Sequence, residues 1–423
     1  MTQPLPKKSA WPKIRKLFND IHLWLGLSSG LVVIAICFSG TIYVFNTELT
    51  ERAAPHLYKV NPVAGEERIP ADSLIGKIKT ASGGAITSIV IPADLKRTYQ
   101  FNTKKKGDDS RSGITYMINP FTGDIVGNSK EKNGTKEFMS SMFSLHRWLL
   151  LDKVKKPIIK GVPNKELGSM ITGWATIIFT LGCITGLIIW FPQKIGTWRQ
   201  GLSVKWKAGW KRVNHDLHNS LAFYALFFLL LMGLTGPQWS FEWYRNGLQK
   251  TLGTYKPKEA PKDKALKSSM PENQKSLLSL SVADYITKAD KVLDYSGNYT
   301  ITLPADSTAT TVITKTKLGF FAPAGGDRLT IDQYSGSVLK TDIFKDKPFN
   351  ERVAGSIKAI HVGNVYGTFT KILYFLACLI ATSLPVTGTL IWLNKMKKKG
   401  KRKSKSAATP SVEEMALNNE QVA

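Results

Sequence analysis

Histidine is scarce in this chain of 423 residues: there are six, and five stand at or near the ends of long uncharged stretches. His22 opens the first stretch, and His215 and His218 open the third. His146 precedes the second and His361 precedes the fourth, while only His56 lies clear of the pattern. Neutral imidazole is a strong ligand for transition metals. Two imidazoles facing each other at one depth form the arrangement that grips a b-type haem iron from both sides. Taken singly, each histidine is an ordinary polar residue at a helix end. The spacing of the set is what raises the possibility of chemistry.

The stretches that position them are 21–47, 167–193, 217–241 and 372–394, and none contains a charged residue. Each exceeds the roughly 20 residues needed to cross a ~30 Å hydrocarbon core. This excludes a soluble globular protein and a protein with a single anchor. The first stretch is longer than the apolar region of a signal peptide and has no small-residue cleavage site after it, so it reads as a retained helix. The mean hydropathy of −0.11 hides this pattern because very apolar and very polar blocks average out.

Lys and Arg total 58 against 31 Asp and Glu, a net charge of +27. The short segments 1–20, 194–216 and 395–423 carry basic residues close to span ends (Lys13, Arg15, Lys16; Lys211, Arg212; Lys395, Lys397, Lys398, Lys399). The positive-inside rule makes these segments cytoplasmic, so both termini are inside and the long segments 48–166 and 242–371 are outside. The outside segments are also net basic, a surface suited to anionic ligands. The basic tail has no interleaved aromatics, and nucleic acid is not expected as a partner. The three cysteines, Cys37, Cys183 and Cys378, all fall within spans, which excludes a disulfide framework outside and reads as packing. There is no Gly-x-Gly-x-x-Gly, Walker loop, Cys-x-x-Cys or His-Glu-x-x-His.

The chain reads as an internal duplication. His22-Leu23-Trp24-Leu25-Gly26 leads to Ser39-Gly40, and His218-Asn219-Ser220-Leu221-Ala222 leads to Thr235-Gly236 over the same interval. Spans two and four close on Thr185-Gly186-Leu187-Ile188-Ile189-Trp190 and Thr387-Gly388-Thr389-Leu390-Ile391-Trp392. The outside segments echo each other at 116–126 and 329–339, each reading as strand, Gly turn, strand, with helices expected at 70–80 and 282–293. Loops 103–112 and 253–276 read as mobile, and the tail beyond Lys395 as disordered. A unit of helix, outside α+β domain and helix, used twice in one orientation, implies a pseudo-two-fold axis along the membrane normal.

Repeat positions pair His22 with His218 at the cytoplasmic depth and His146 with His361 at the outer depth, an arrangement suited to two b-type haems. The face Gly26, Ser29, Gly30, Val33, Cys37, Gly40 leaves a slot for a flat macrocycle, although small residues also serve ordinary helix packing. The matching face of the third span runs Ala222, Ala225, Leu229, Met232, Gly236. Arg147 is positioned to pair a haem propionate or a lipid headgroup. His215 shares a face with His218 as a spare ligand or a surface residue. The amphipathic segment 138–150, with Phe138, Met142, Phe143 and Trp148, is expected to lie along the membrane surface. Lys153, Lys155, Lys156 and Lys160 follow it.

The chain resembles the PepSY-associated transmembrane proteins of bacteria along nearly its whole length. The resemblance is carried by the His22-Leu23-Trp24-Leu25-Gly26 start, Leu145-His146-Arg147-Trp148, Asp216-Leu217-His218-Asn219, Ile360-His361-Val362-Gly363 and the Thr-Gly-x-x-Ile-Trp endings. It implies a membrane α-helical fold with four transmembrane helices in a parallel pseudo-two-fold repeat and two extracytoplasmic α+β PepSY-like domains. The implied setting is the bacterial inner membrane. The implied activity is that of a di-haem ferric-siderophore reductase releasing Fe(II) outside. Some relatives carry a fused flavin and nicotinamide reductase domain, where this chain has a short basic tail, so quinol or a separate cytoplasmic reductase would be the electron donor. The competing readings are a non-enzymatic membrane anchor whose PepSY-like domains bind a periplasmic peptidase or other protein, and a cytochrome b serving another acceptor.

Overall fold

The structure, a computed structural model, describes residues 11–62, 65–108, 113–192, 195–257, 266–270 and 280–407. Parts of the two loops expected to be mobile, 109–112, 258–265 and 271–276, lie outside the described residues, as does 408–423. The chain divides into two compact units, one of residues 1–41, 144–241 and 376–423 and one of 42–143 and 242–375.

The first unit is built on four long helices: α1 (Trp11–Tyr43), α6 (Asn164–Trp190), α8 (Trp210–Thr235) and α12 (Gly367–Ala407). Each is long and apolar enough to cross a membrane. In lipid, a spanning segment must satisfy its backbone N–H and C=O groups internally, which a helix does. The helices differ from the expected spans at their ends. α1 stops at Tyr43, short of 47, and α6 stops at Trp190, two residues before Pro192, which disfavours helix in the residue preceding it. The tail expected to be disordered is helical through Ala407. Its Lys-rich sequence adds turns to an existing helix, and propagation is far cheaper than nucleation. The helices approach closely: a Cβ on Gly233 of α8 would overlap Thr180 Oγ1 of α6, and one on Gly30 of α1 would meet Pro385 of α12 at 3.2 Å. Ala225, Leu229, Ala377, Ala381 and Leu384 are buried between α8 and α12.

The second unit carries one antiparallel sheet of eight strands: β1 (Ala85–Ile91), β2 (Tyr99–Lys104), β3 (Ile114–Ile118), β4 (Ile125–Asn128), β5 (Gly297–Thr302), β6 (Thr311–Lys317), β7 (Asp327–Ile331) and β8 (Val338–Asp342). Their order is β4-β3-β2-β1-β5-β6-β7-β8, so the two outside segments meet at β1 and β5, paired Ser88↔Thr302 to Ile91↔Tyr299. Where the sequence reads as two α+β domains, the two segments share one sheet and one core. Alternation in β2 and β6 buries one face of each strand, as the period of two requires. Onto that face pack α4 (Ala71–Ser82), through Leu74 and Ile78, and α10 (Val282–Val292), through Tyr285 and Ala289. Four strands and a single short helix would leave much of such a face wet, and joining the halves at β1–β5 removes two exposed edges. Asp72 of the first half accepts bonds from the Val282 and Ala283 N–H groups, at 2.8 and 3.2 Å, capping α10 of the second.

Shorter helices complete the chain: α2 (Asn46–Ala53), α3 (Pro55–Tyr58), α5 (Gly134–Trp148), α7 (Trp198–Gly201), α9 (Glu242–Thr251) and α11 (Phe349–Val362). The Gly turns read from the sequence recur in the same form. Gly123 and Gly336 have φ of 70° and 68°, and their N–H groups donate to the Asn119 and Asp332 carbonyls at 2.9 and 3.0 Å. The two turns differ in charge. Burial works against the Asp332 carboxylate, but the Ser335, Ser269 and Tyr334 N–H groups outweigh it and hold its pKa below the usual value. A depressed folded-state pKa contributes stability above the unfolded value of about 3.9, and this is lost as pH falls through the folded value. Asp332→Asn is therefore expected to lower stability at pH 7 and to flatten the acid limb of a pH–stability curve. An unchanged acid limb would show that this carboxylate does not set it.

Candidate functional site

His22 stands on α1 and His218 on α8, and the structure brings their rings together, with centroids 6.4 Å apart and planes at 81°. The surrounding helices hold both rings in the same way. His22 Nδ1 lies 3.0 Å from the Gly182 carbonyl and 3.1 Å from Thr185 Oγ1, both on α6. His218 Nδ1 lies 2.8 Å from Thr387 Oγ1 on α12. The Thr185 hydroxyl donates to the Leu181 or Gly182 carbonyl, and that of Thr387 to the Ser383 or Leu384 carbonyl. Each hydroxyl therefore has a lone pair for an imidazole N–H. Nδ1 is the protonated nitrogen on both rings, and Nε2 carries the free lone pair, the state a metal ligand requires. Glycine makes the approach possible: a Cβ on Gly186 would meet His22 Cε1 at 3.1 Å, and one on Gly388 would meet His218 Cε1 at 3.2 Å.

His146 follows the same rule from a different element. Its Nδ1 donates to the Ile36 carbonyl of α1 at 2.9 Å, and a Cβ on Gly40 would meet its ring at 3.3 Å. The end of α5 that carries it is tightly docked. Thr172 Oγ1 of α6 donates to the Arg147 carbonyl at 3.0 Å, and Gly168 leaves no room for a Cβ against Trp148. Leu149 and Leu150 then adopt φ of 53° and 62°, left-handed conformations that are uncommon for residues other than glycine. Ser144 donates to Asp152, and Asn164 ties the following loop through the Val154 and Lys156 carbonyls and the Ile158 N–H. That loop presents Lys153, Lys155, Lys156 and Lys160 as exposed cations. Ile36 lies fourteen residues along α1 from His22, so His22 and the anchor of His146 are separated by about 21 Å of helix rise.

His361 occupies the last turn of α11 and is half-buried, followed by Gly363 at φ 76°. His215 is exposed, 3.6 Å from Asp216 and in contact with Asn219. Arg147 donates to the Trp239 carbonyl at 3.2 Å. His56 is exposed and pairs with Glu131 at 2.9 Å. The expected slot along α1 is largely taken up by packing, with Ser29, Gly30 and Val33 buried, while Gly26, one turn from His22, faces open space. The cysteines are free, and Cys378 Sγ lies 3.5 Å from Met232 Sδ.

Sequence reasoning recorded the Thr185-Gly186 and Thr387-Gly388 pairs only as repeat markers and missed their role in fixing the imidazoles. Their coincidence with the histidine repeat was the available signal. The carbonyls of Gly182 and Ile36 left none, because any residue has one.

Among the described residues no group of three or more His, Cys, Asp or Glu side chains could hold a bare metal ion. A haem needs only two axial imidazoles from the protein, because the macrocycle supplies the other four nitrogens. With metal–nitrogen bonds of about 2 Å and a ring radius of about 1.1 Å, two imidazoles on opposite sides of one metal have centroids about 6 Å apart. The His22–His218 pair fits in spacing, tautomer and donor chemistry.

Fold and site together define a membrane protein with four apolar helices, a β-sheet unit and paired imidazoles within the helices. The chain belongs to the PepSY-associated TM region family, whose model matches residues 20–395. No curated protein matches the chain.

Proposed function

We propose that the protein is a di-haem b oxidoreductase of the bacterial inner membrane that passes electrons outward and reduces ferric-siderophore iron to Fe(II) for uptake. The observation that carries this reading is the His22–His218 pair, with both Nδ1 atoms engaged by α6 and α12 and both Nε2 atoms left with a lone pair. In this reading His22 and His218 hold the cytoplasmic-side haem. The sequence repeat assigns His146 and His361 to the outer one, and the Nδ1 anchor of His146 supports its half of that assignment. The repeat itself is read as a pseudo-two-fold axis along the membrane normal, with both termini cytoplasmic and the sheet unit outside. Bound haem would supply one-electron transfer. The chain's part is to fix imidazole orientation, keep Nε2 unprotonated and exclude water from the helices. At the outer face one electron converts a ferric chelate to its ferrous form, and quinol or a cytoplasmic reductase supplies it. A siderophore binds Fe(III) far better than Fe(II), so this step loosens the iron without destroying the chelator. The exposed Lys153, Lys155, Lys156 and Lys160 suit an anionic chelate.

The test is haem stoichiometry of the purified protein together with reduction of several ferric siderophores. Two b haems per chain and Fe(II) release are expected. A haem-replete preparation that stays colourless would defeat the reading and leave a membrane anchor for a peptidase or other protein. A coloured protein inert toward every chelate would make it a cytochrome b for another acceptor.

Thr387→Val keeps the side-chain shape and removes the hydroxyl that faces His218 Nδ1, and Thr185→Val removes one of the two acceptors at His22 Nδ1, leaving the Gly182 carbonyl. Outer-shell partners of a metal-ligating histidine are commonly worth 10–100-fold in affinity, so haem retention in dilute detergent is expected to fall by about that factor in the double variant. The haem midpoint potential should shift as well, because an imidazole that loses its partner becomes a weaker donor. Unchanged retention and potential would reduce the threonines to helix packing.

A further inference from the structure

The two hairpins at equivalent places in the sheet have diverged. The tip joining β2 to β3 is basic, with Lys104, Lys105 and Lys106. The tip joining β6 to β7, Leu318-Gly319-Phe320-Phe321-Ala322-Pro323, is apolar and aromatic. Leu318, Phe320 and Phe321 are 50, 50 and 63 % exposed. A soluble surface rarely leaves such a patch uncovered.

The backbone of the second tip is tied to the beginning of α12. Ala324 N–H donates to the Val365 carbonyl at 2.9 Å, Phe369 N–H reaches the Phe320 carbonyl at 3.4 Å, and Pro323 bridges to Tyr366. Gly367, at φ 57°, permits this: a Cβ there would lie 2.9 Å from the Gly319 carbonyl and 3.0 Å from that of Phe320. The rings of Phe320, Phe321 and Phe369 form one cluster, with centroids 4.9, 5.0 and 6.2 Å apart. Tyr366, bridged to Pro323 in the same segment, is 53 % exposed.

Depth along α12 identifies what covers the cluster. The uncharged stretch begins at Ile372, and Phe369 precedes it by three residues, about 4.5 Å of helix rise. With Ile372 at the edge of the hydrocarbon, the cluster stands at headgroup level, where amphipathic aromatic rings collect. Ile372, where the uncharged stretch begins, is itself exposed.

We propose that the β6–β7 tip is a membrane anchor: Phe320, Phe321 and Tyr366 insert into the interface of the leaflet on the sheet side, and this fixes the sheet unit against the bilayer through its second half. Lys105 and Lys106, at the start of the β2–β3 connection, stay in water. The inference rests on the membrane-spanning character of α12 and is independent of haem.

The experiment labels Phe321→Cys, and separately Phe320→Cys, with the fluorophore NBD in the full chain reconstituted into phosphatidylcholine vesicles. The unsubstituted chain serves as the blank for its own cysteines, and Lys106→Cys reports the other tip. Vesicles carry lipids with a nitroxide at acyl carbon 5 or 12. Labels at 320 and 321 are expected to emit in the blue-shifted range and to be quenched at least about twofold more by the shallow nitroxide than the label at 106, and less by the deep one. Two independent sites guard against a local fold defect at either. Water-like emission at both 320 and 321, with quenching equal to that at 106, overturns the proposal. Because no other protein is present in the vesicles, that outcome would make the aromatic tip a surface for a protein partner instead.

Discussion

His218→Ala is expected to remove one of two haems and leave the other, so that haem per chain falls by half in the pyridine haemochrome assay. His22→Ala should do the same, because losing either imidazole leaves iron with a single protein ligand. The geometry behind this is direct: the two rings stand 6.4 Å apart, each tied at Nδ1 to a different neighbouring helix. His215→Ala should keep both haems. Its ring is exposed and engaged by Asp216 and Asn219, three residues before the ring that faces His22. His218→Gly supplied with free imidazole should recover part of the lost haem, which a general fold defect would not. If His215→Ala loses a haem while His218→Ala retains both, the assignment of the cytoplasmic-side pair is wrong.

Chelate reduction should fall at least tenfold in His361→Ala, since electrons are proposed to leave from the outer haem, while the haem held by His22 and His218 stays reducible by its donor. Ionic strength separates docking from electron transfer. Lys153, Lys155, Lys156 and Lys160 are exposed on the loop that follows His146. Salt screens such charges within about 8 Å at physiological strength. Reduction of an anionic ferric chelate should slow as salt rises, reduction of a neutral chelate should change little, and neutralising the four lysines should reproduce the effect of salt. Equal responses from both chelates would remove the lysines from the docking step. Full-rate reduction by His361→Ala would remove the outer haem from the electron path.

The four spans, the alternation of short basic and long segments, and the repeated His and Thr-Gly positions were all legible in the chain. These features are local: an uncharged stretch longer than 20 residues in lipid has no alternative to a helix, and a motif repeated at one interval needs no folding to be seen. The strand–turn–strand segments at 116–126 and 329–339 were legible for the same reason, with glycine marking the left-handed position in each turn. Long-range pairing decided the rest. Nothing local in 85–91 or 297–302 states that these strands pair with each other, so two domains were expected where the β1–β5 register makes one sheet. Nor does any local feature of α6 or α12 say that Thr185 and Thr387 meet the imidazoles, or that Gly30 packs on Pro385 while Gly26 stays open. Composition allowed a slot at every small residue of α1, and helix packing closed most of it. Sequence by itself determined which residues could carry chemistry and which stretches are long and apolar enough to cross a membrane, because both follow from residue type and length. Only the tertiary structure decided the protonated nitrogen of His22, His218 and His146, because that depends on an acceptor brought from more than a hundred residues away.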